Sequence, residues 1–409
     1  MLRKPKLFIL LILTGLIINQ SYGQNPTVSI TGKNVPNAVT SAATFLMIAP
    51  DSRSGGMGDV GVATMPGPNA MHWNPAKYAF VENNMGVSIS YTPWLRHLGI
   101  NDINLAYLAG YKRLDDQQVI GMSLTYFSLG EIIFTDNQGI PYDTKNPNEF
   151  SIDIAYARAF SDRFSGSVAF RYIYSNIAGG QFMSGGLESH PGKAIATDIS
   201  LFYMNEDLNI SNYNSTLAFG FNMSNLGSKI SYTANADKDF IPANLRLGGA
   251  YTIDFDQYNS LSFAVDLNKM LIPTPPVYFS DSLNASGEQV VQYGYNPNVT
   301  TPVALFRSFY DAPGEIRDDG SRSVFLEEMH EIQYSLGLEY WYSNQFAIRG
   351  GYFHEHGTKG NRKFFTVGVG LKLNVFGLDF SYLIPINQNN PLANTIRFSL
   401  NFDLEALNN

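Results

Sequence analysis

From Met85 to Asp403 the chain is a series of segments in which apolar and polar residues alternate, joined by connections that are alternately long and short. In the clearest segment, Phe365 to Val375, the residues Val367, Val369, Leu371, Leu373 and Val375 share one face. Thr366, Gly368, Gly370, Lys372 and Asn374 share the other. A period of two places each set on one side of a sheet. One apolar face, one small-or-polar face and a strict parity of loop lengths together describe a transmembrane β-barrel. After the N-terminal residues no stretch reaches about 18 uninterrupted apolar residues, so the sequence offers no helical span.

The pattern predicts an all-β membrane protein, an antiparallel outer-membrane barrel of about 14 strands, an even number as single-chain bacterial barrels have. The strands are expected over residues 85–91, 103–111, 118–127, 150–160, 164–174, 194–204, 215–225, 244–253, 259–267, 332–340, 346–353, 365–375, 376–383 and 395–403. Short connections are expected at 112–117, 161–163, 205–214, 254–258 and 341–345, with almost none between Val375 and Phe376. The long ones are 92–102, 128–149, 175–193, 226–243, 268–331, 354–364 and 384–394. Short turns belong to the periplasmic side and long loops to the outside. That parity puts residues 24–84 in the periplasm or the lumen and the C-terminus on the periplasmic side.

Composition agrees with this solvent. Charged residues are 15% of the chain and aromatics 13%, whereas a soluble protein carries about 25% charged residues. A lipid-facing wall excludes charge, and aromatics girdle both interfaces. There is no Cys, which excludes disulfides and thiolate metal sites. A net charge of −8 excludes nucleic acid as a natural partner. At the N-terminus, Arg3, Lys4 and Lys6 precede the apolar run 7–18, and Ser21-Tyr22-Gly23 supplies small residues at −3 and −1. This predicts a signal peptide over 1–23, cleaved before Gln24.

Residues 24–84 do not alternate. The stretch 25–42 is polar and reads as an extended arm. It is followed by a turn-rich segment carrying Pro50, Asp51, Arg53, Gly55, Gly56, Met57, Gly58, Asp59 and Gly61, and then Asn74-Pro75-Ala76. A hatch folded into the lumen is expected, because a barrel this wide otherwise encloses an open aqueous hole. The glycines mimic a phosphate loop, but the G-x-x-x-x-G-K-[ST] pattern is absent and no strand-loop-helix unit surrounds them. Asp51, Arg53 and Asp59 are candidates for an ion network tying the hatch to Arg246 or Glu339 on the wall. His354-Glu355-His356 places two imidazoles at i and i+2, with no third ligand nearby in sequence, so no metal is expected. No His stands beside a suitable Ser on a barrel strand, so neither catalytic nor cofactor-binding residues are expected.

The segment from Pro50 to Ala63, with Asn74-Pro75-Ala76-Lys77, resembles the opening of the PorV family, outer-membrane proteins of the Bacteroidota type IX secretion system related in fold to FadL hydrophobic-compound channels. Five further stretches are similar to the same family: Tyr91-Thr92-Pro93-Trp94-Leu95, Tyr126-Phe127-Ser128-Leu129-Gly130, Ser224-Asn225-Leu226-Gly227-Ser228-Lys229-Ile230, Ile241-Pro242-Ala243-Asn244-Leu245-Arg246-Leu247-Gly248 and Asp266-Leu267-Asn268-Lys269-Met270-Leu271-Ile272-Pro273-Thr274-Pro275. The resemblance implies a non-enzymatic shuttle. It implies partners: the type IX translocon pore (SprA/Sov-like), secreted cargo with a conserved C-terminal domain, and a sortase attachment complex, in contact with outer-membrane lipid.

The long connection 268–331 is the strongest binding candidate outside the barrel, since loops of this length without structure of their own are uncommon unless functional. It opens on Leu271, Ile272, Pro273, Pro275, Pro276, Tyr278 and Phe279, an apolar run stiffened by proline. Phe306 and Phe309 add a second apolar patch ahead of an acidic stretch ending at Glu328. Partner docking is expected here, with a lid over the barrel mouth as the alternative. Trp94 and Leu95 in the first long loop are a smaller candidate, or an interfacial aromatic pair. Two other functions stay open: a FadL-like passive channel for hydrophobic small molecules, which needs an apolar tunnel and a strand kink, and a scaffold for lipopolysaccharide modification.

Overall fold

The computed structural model describes residues 36–405, apart from 97–98, 101, 136–137, 139, 178–188, 211, 234–237, 285–286, 288, 318, 387–391 and 393. The expected signal peptide, 1–23, and most of the arm lie outside the described residues. Among the described residues no helix is long and apolar enough to cross a membrane.

Fourteen antiparallel strands close into a barrel. They are β1 (Met85–Pro93), β2 (Ile103–Arg113), β3 (Gln118–Leu129), β6 (Asn148–Ser161), β7 (Phe164–Asn176), β8 (Gly192–Ile210), β9 (Tyr213–Gly227), β10 (Asn244–Asp254), β11 (Asn259–Met270), β16 (Gln333–Tyr342), β17 (Phe346–His354), β18 (Lys363–Lys372), β19 (Phe376–Pro385) and β20 (Ile396–Asp403). Closure is made by β1 against β20, with Gly86 opposite Asp403 and Tyr91 opposite Phe398. A closed ladder leaves no unpaired strand edge in lipid.

The alternation sorts the side chains as the period of two requires. Ile89, Leu108, Met122, Ile154, Phe170, Phe263, Leu338 and Val367 point away from the lumen and are exposed. Their neighbours Ser88, Ser90, Ser123, Asp153, Arg171, Asp266 and Glu339 are buried. In an aqueous protein that would be an inside-out arrangement; in a bilayer the exposed apolar band is the lipid face.

Several expected boundaries move. The connection expected at 205–214 is mostly strand, because β8 runs to Ile210 and pairs with Tyr213 of β9. A bulge between Asn205 and Leu208 absorbs the irregular register. Polar residues that look like a loop continue the ladder here, since strand ends beyond the lipid boundary need no apolar face. Conversely, β18 ends at Lys372, and Leu373 to Val375 form the reversal, with Leu373 N donating to Phe376 O at 2.8 Å. The loops are also more ordered than expected. Connection 128–149 holds the hairpin β4 (Ile132–Thr135) and β5 (Pro141–Lys145). Connection 268–331 holds β12 (Val277–Leu283) paired with β13 (Gln289–Tyr293), and β14 (Glu315–Ile316) paired with β15 (Arg322–Ser323).

The segment ahead of β1 packs against strands on every side of the barrel. It contains two one-turn helices, α1 (Ser52–Gly55) and α2 (Ala70–Trp73), and a 3-10 turn, Pro75–Phe80. Phe45, Met57, Val60, Val62, Trp73 and Tyr78 are fully buried in it. Its direction is set by the contacts at its two ends. Asn37 N donates to Thr358 O at 2.8 Å and Ala42 N to Phe240 O at 2.9 Å, both in long loops. The described chain therefore begins among the long loops, descends the lumen and emerges at the short-turn end, where Arg113 N donates to Asn84 O at 2.8 Å. Loop parity fixes where β1 starts but carries no information on the direction from which a preceding lumenal segment arrives.

Candidate functional site

Two further helices, α3 (Thr301–Arg307) and α4 (Val324–His330), belong to connection 268–331. With them the structure offers two candidate regions, the lumenal segment with its anchors and the long-loop face.

The lumenal segment is held by polar groups on the inward strand faces. Asp51 caps α1 by accepting from Ser54 N at 3.0 Å and also accepts from Trp73 Nε1 at 2.6 Å. Arg53 reaches Glu339 on β16 with two bonds of 2.9 and 2.7 Å. Glu339 also receives Arg349 at 2.6 Å, and Arg349 continues to Asp379 at 2.6 Å. Asp59 pairs with Arg397 at 3.2 Å. Asp266 accepts from Gly61 N at 2.8 Å and Val62 N at 3.0 Å. Buried charge is tolerated here because each carboxylate faces a guanidinium or several N–H donors.

Of the ion network read from sequence, Arg53 meets Glu339, but Asp51 serves as a helix cap and indole acceptor instead. Arg246 does not reach the segment's carboxylates; it donates to Asn268 at 2.6 Å and lies over the Trp73 ring at 4.6 Å. A second charged knot, Arg171 with Asp153, Asp198 and Asn225, was not singled out from sequence. Alternating strand residues with opposite charge on the inward face were its visible signal.

The motif residues have local reasons. Asn74 is fully buried and donates from Nδ2 to Val62 O and to Leu201 O of β8, both at 3.0 Å, while its Oδ1 accepts from Ala76 N at 3.1 Å. Pro75 starts the 3-10 turn, where a missing N–H costs nothing. Gly58 has φ +71°. A Cβ there would stand 2.6 Å from Tyr352 N and 2.8 Å from Leu336 O, so neither its backbone conformation nor its space admits a side chain.

On the long-loop face the apolar opening of connection 268–331 is divided. Leu271, Ile272 and Pro273 are buried, and Leu271 and Ile272 pack with Ala243. They are unavailable to a partner, because the residues after β11 turn inward onto the 226–243 loop. Pro275 and Pro276 are half-buried, while Tyr278 and Phe279 are exposed. Phe306 and Phe309 are exposed at 75% and 49%, and α4 adds Phe325 at 72%. Phe325 was missed because the run around it reads as acidic. Trp94 and Leu95 are half-buried against the cluster of Phe45, Leu105 and Phe127.

That acidic run faces inward. Lys269 Nζ contacts Glu328 at 2.9 Å and Glu331 at 2.7 Å. Lys359 Nζ contacts Glu327 at 2.6 Å and Glu331 at 3.0 Å. Thr274 Oγ1 donates to Glu331 at 2.7 Å, and Asn37 Nδ2 donates to Glu327 at 2.9 Å. The knot staples α4 to the end of β11, the 355–362 loop and the start of the lumenal segment. Nearby Asp311 is pushed up to about 7 by burial and then by the negative charge of Glu328. Burial likewise raises Glu328. The 327, 328, 331 spacing, one helical face, was the signal that sequence reading overlooked.

His354, Glu355 and His356 do not act together. His354 Nδ1 lies 3.1 Å from Tyr352 OH, and Glu355 is engaged by Arg362 at 2.9 Å and by Gln333 at 2.9 Å. His356 turns toward α4, where its ring stacks on His330.

Comparison with known proteins gives a family. The model for "Type IX secretion system protein PorV" matches residues 31–277. No protein with a curated description matches the chain. Among solved structures, the chain is similar to a Pseudomonas aeruginosa FadL homologue (11% identity, 90% of this chain and 100% of that one, TM-score 0.42). It is also similar to the Pseudomonas putida toluene transporter TodX (12% identity, 90% and 98%, TM-score 0.46). A third is the Ralstonia pickettii toluene transporter TbuX (11% identity, 86% and 96%, TM-score 0.43).

Proposed function

Because the chain belongs to the PorV family of type IX secretion system proteins, we propose that it is a non-enzymatic outer-membrane adaptor that receives cargo at the translocon pore and delivers it to the surface attachment complex. The barrel and the family place it in the outer membrane as a component of that system. In this reading the long loops face outward, the 43–81 segment is a hatch, and the cargo is recognised through its C-terminal β-domain.

The observation that carries the reading is the exposed aromatic surface on the longest loop: Phe306 at 75%, Phe325 at 72%, with Phe309, Tyr310 and Val324 beside them in sequence. These side chains belong to the 268–331 connection outside the barrel wall, on or next to its two helices, so lipid does not account for them. Exposed apolar surface on a loop stapled by buried ion pairs is what a protein-docking site requires, since the loop is already ordered before it binds. The passive-channel alternative is disfavoured by the lumen. Its inward faces carry Asp153, Arg171, Asp198, Asp266, Glu339 and Arg349, and Met57, Val60, Trp73 and Tyr78 fill the space between them. A hydrophobic solute would have to cross that charged lining.

The test is affinity capture of tagged protein from native outer membranes, comparing wild type with Phe306→Ser/Phe325→Ser. Wild type should bring down a very large barrel protein and secreted proteins sharing a C-terminal domain, and the double variant should lose them while folding normally. Equal capture by the variant would refute the docking surface. Bound hydrocarbon without protein partners would favour the channel.

A further inference from the structure

Three donor groups from three separate segments converge on the long-loop face. Glu315 lies in β14, His330 ends α4, and His356 follows β17 by two residues. One ligand atom from each lies within 4.8 Å of the others, and all three residues are half-buried. The imidazoles of His330 and His356 lie nearly parallel, with centroids 3.5 Å apart and planes 9° apart. His330 Nδ1 is 2.9 Å from Glu315 Oε1. Thr358 Oγ1 is 2.8 Å from the same Oε1 and 3.0 Å from His356 Nδ1. Both Nδ1 edges and one carboxylate oxygen therefore open on one corner.

We propose that Glu315, His330 and His356 form a binding site for a single divalent transition ion of the zinc class. Two imidazoles and one carboxylate are a donor set that suits zinc, whose nitrogen and oxygen ligands sit at about 2.0–2.2 Å in a tetrahedron. The three donor atoms already lie within 4.8 Å of one another, near the spacing such a shell requires. Three protein ligands leave a fourth position for water or for a group from a partner. Thr358, bonded to Glu315 and adjacent to His356, orients two of the three ligands from outside the shell. A calcium or magnesium ion is the wrong class, since those ions prefer all-oxygen shells. The consequence is mechanical. The ion clasps the C-terminal end of α4 to the 355–362 loop, on a helix whose buried glutamates already fix one side and whose Phe325 faces solvent. It thus holds the exposed aromatic surface at a fixed angle to the barrel.

The test uses full-length, tag-free protein in detergent after chelator treatment. Zinc is titrated calorimetrically, and cobalt(II) is followed by its visible absorption. Wild type should bind about one ion per chain, and cobalt should give the intense ligand-field bands of a four-coordinate site. His330→Ala and His356→Ala should each weaken binding by at least about tenfold. His354→Ala should bind as wild type, because His354 is turned toward Tyr352. Glu315→Gln, which keeps the side-chain shape, should weaken binding comparably and guards against misfolding of the His variants. Absence of saturable zinc binding would overturn the site, as would binding indifferent to all three ligand substitutions or lost equally in His354→Ala.

Discussion

Arg53 and Glu339 meet across the lumen in a two-point ion pair, Nε to Oε2 at 2.9 Å and Nη2 to Oε1 at 2.7 Å, although 286 residues separate them in sequence. The planar fork of a guanidinium matches both oxygens of a carboxylate, so the contact fixes orientation as well as distance. It ties α1 to β16. The same carboxylate holds Arg349 and through it Asp379, so the segment is anchored to a network that spans β16, β17 and β19.

Arg53→Ala should loosen the lumenal segment. Removing one member of a buried pair costs about 3–5 kcal/mol. The lower end is expected here, because Glu339 keeps Arg349. The barrel itself should remain folded, since its ladder is untouched. The chain contains no Cys, so a single Ala63→Cys reporter in the segment can be labelled cleanly. Faster labelling and raised antibiotic permeability are expected in the Arg53→Ala background; unchanged values for both would count against the anchor.

Gly58→Ala should be worse than Arg53→Ala. A non-glycine residue at φ +71° is strained by about 1–2 kcal/mol, and the added Cβ meets backbone atoms of Tyr352 and Leu336 that cannot move without distorting β16 and β17. Heat-modifiable migration in gels should still report a closed barrel, while Ala63→Cys becomes freely labelled. A variant with wild-type labelling would show that the close approach has been misjudged.

Lys359→Met should release α4. It leaves Glu327 without an ammonium and halves the charge facing Glu331, at a cost of about 3–5 kcal/mol to the loop. Protease cleavage within 268–331 should accelerate strongly. Arg163→Ala is the contrast: its pair with Asp207 is largely exposed, so solvent screening leaves it little to lose and no measurable change is expected. Similar protease sensitivity in the two variants would contradict the distinction between buried and exposed pairs.

The loop should also respond to pH through Asp311. Its folded pKa, about 7, lies above the ordinary value of 3.8, because burial and the neighbouring Glu328 and Glu331 disfavour the carboxylate. The docked loop therefore binds more protons than the released loop between those two values, and its stability falls as pH rises through that window. Proteolysis within 268–331 should be slowest near the acid end and quicken toward pH 7 and above. Asp311→Asn should flatten this dependence; an unaltered profile would place the titration elsewhere.

The strand pattern was legible because it depends on a local contrast. Val367, Val369 and Leu371 face lipid while Thr366, Gly368 and Gly370 face the lumen, and that difference of solvent across one strand is written residue by residue in the chain. The same contrast made the count of fourteen readable and left only the ends uncertain, as at Ile210 and Lys372, where strands leave the bilayer and the contrast vanishes. Motif positions such as Gly58 and Asn74 were visible as unusual residues, but their roles were not.

What the sequence determined by itself is the wall of this protein: an alternating ladder with grease on one side and polar atoms on the other, and the resemblance that points to its family. Only the tertiary structure decided which loop residues are buried and with whom. Leu271 and Ile272 look like docking residues and are packed away, while Glu327, Glu328 and Glu331 look like a solvated acidic run and are knotted to Lys269 and Lys359. His330 and His356, 26 positions apart, become stacked neighbours. The physical reason is that a strand's two environments repeat every second residue, whereas the partner of a loop side chain is chosen by barrel closure, which brings together chain segments whose separation leaves no periodic trace.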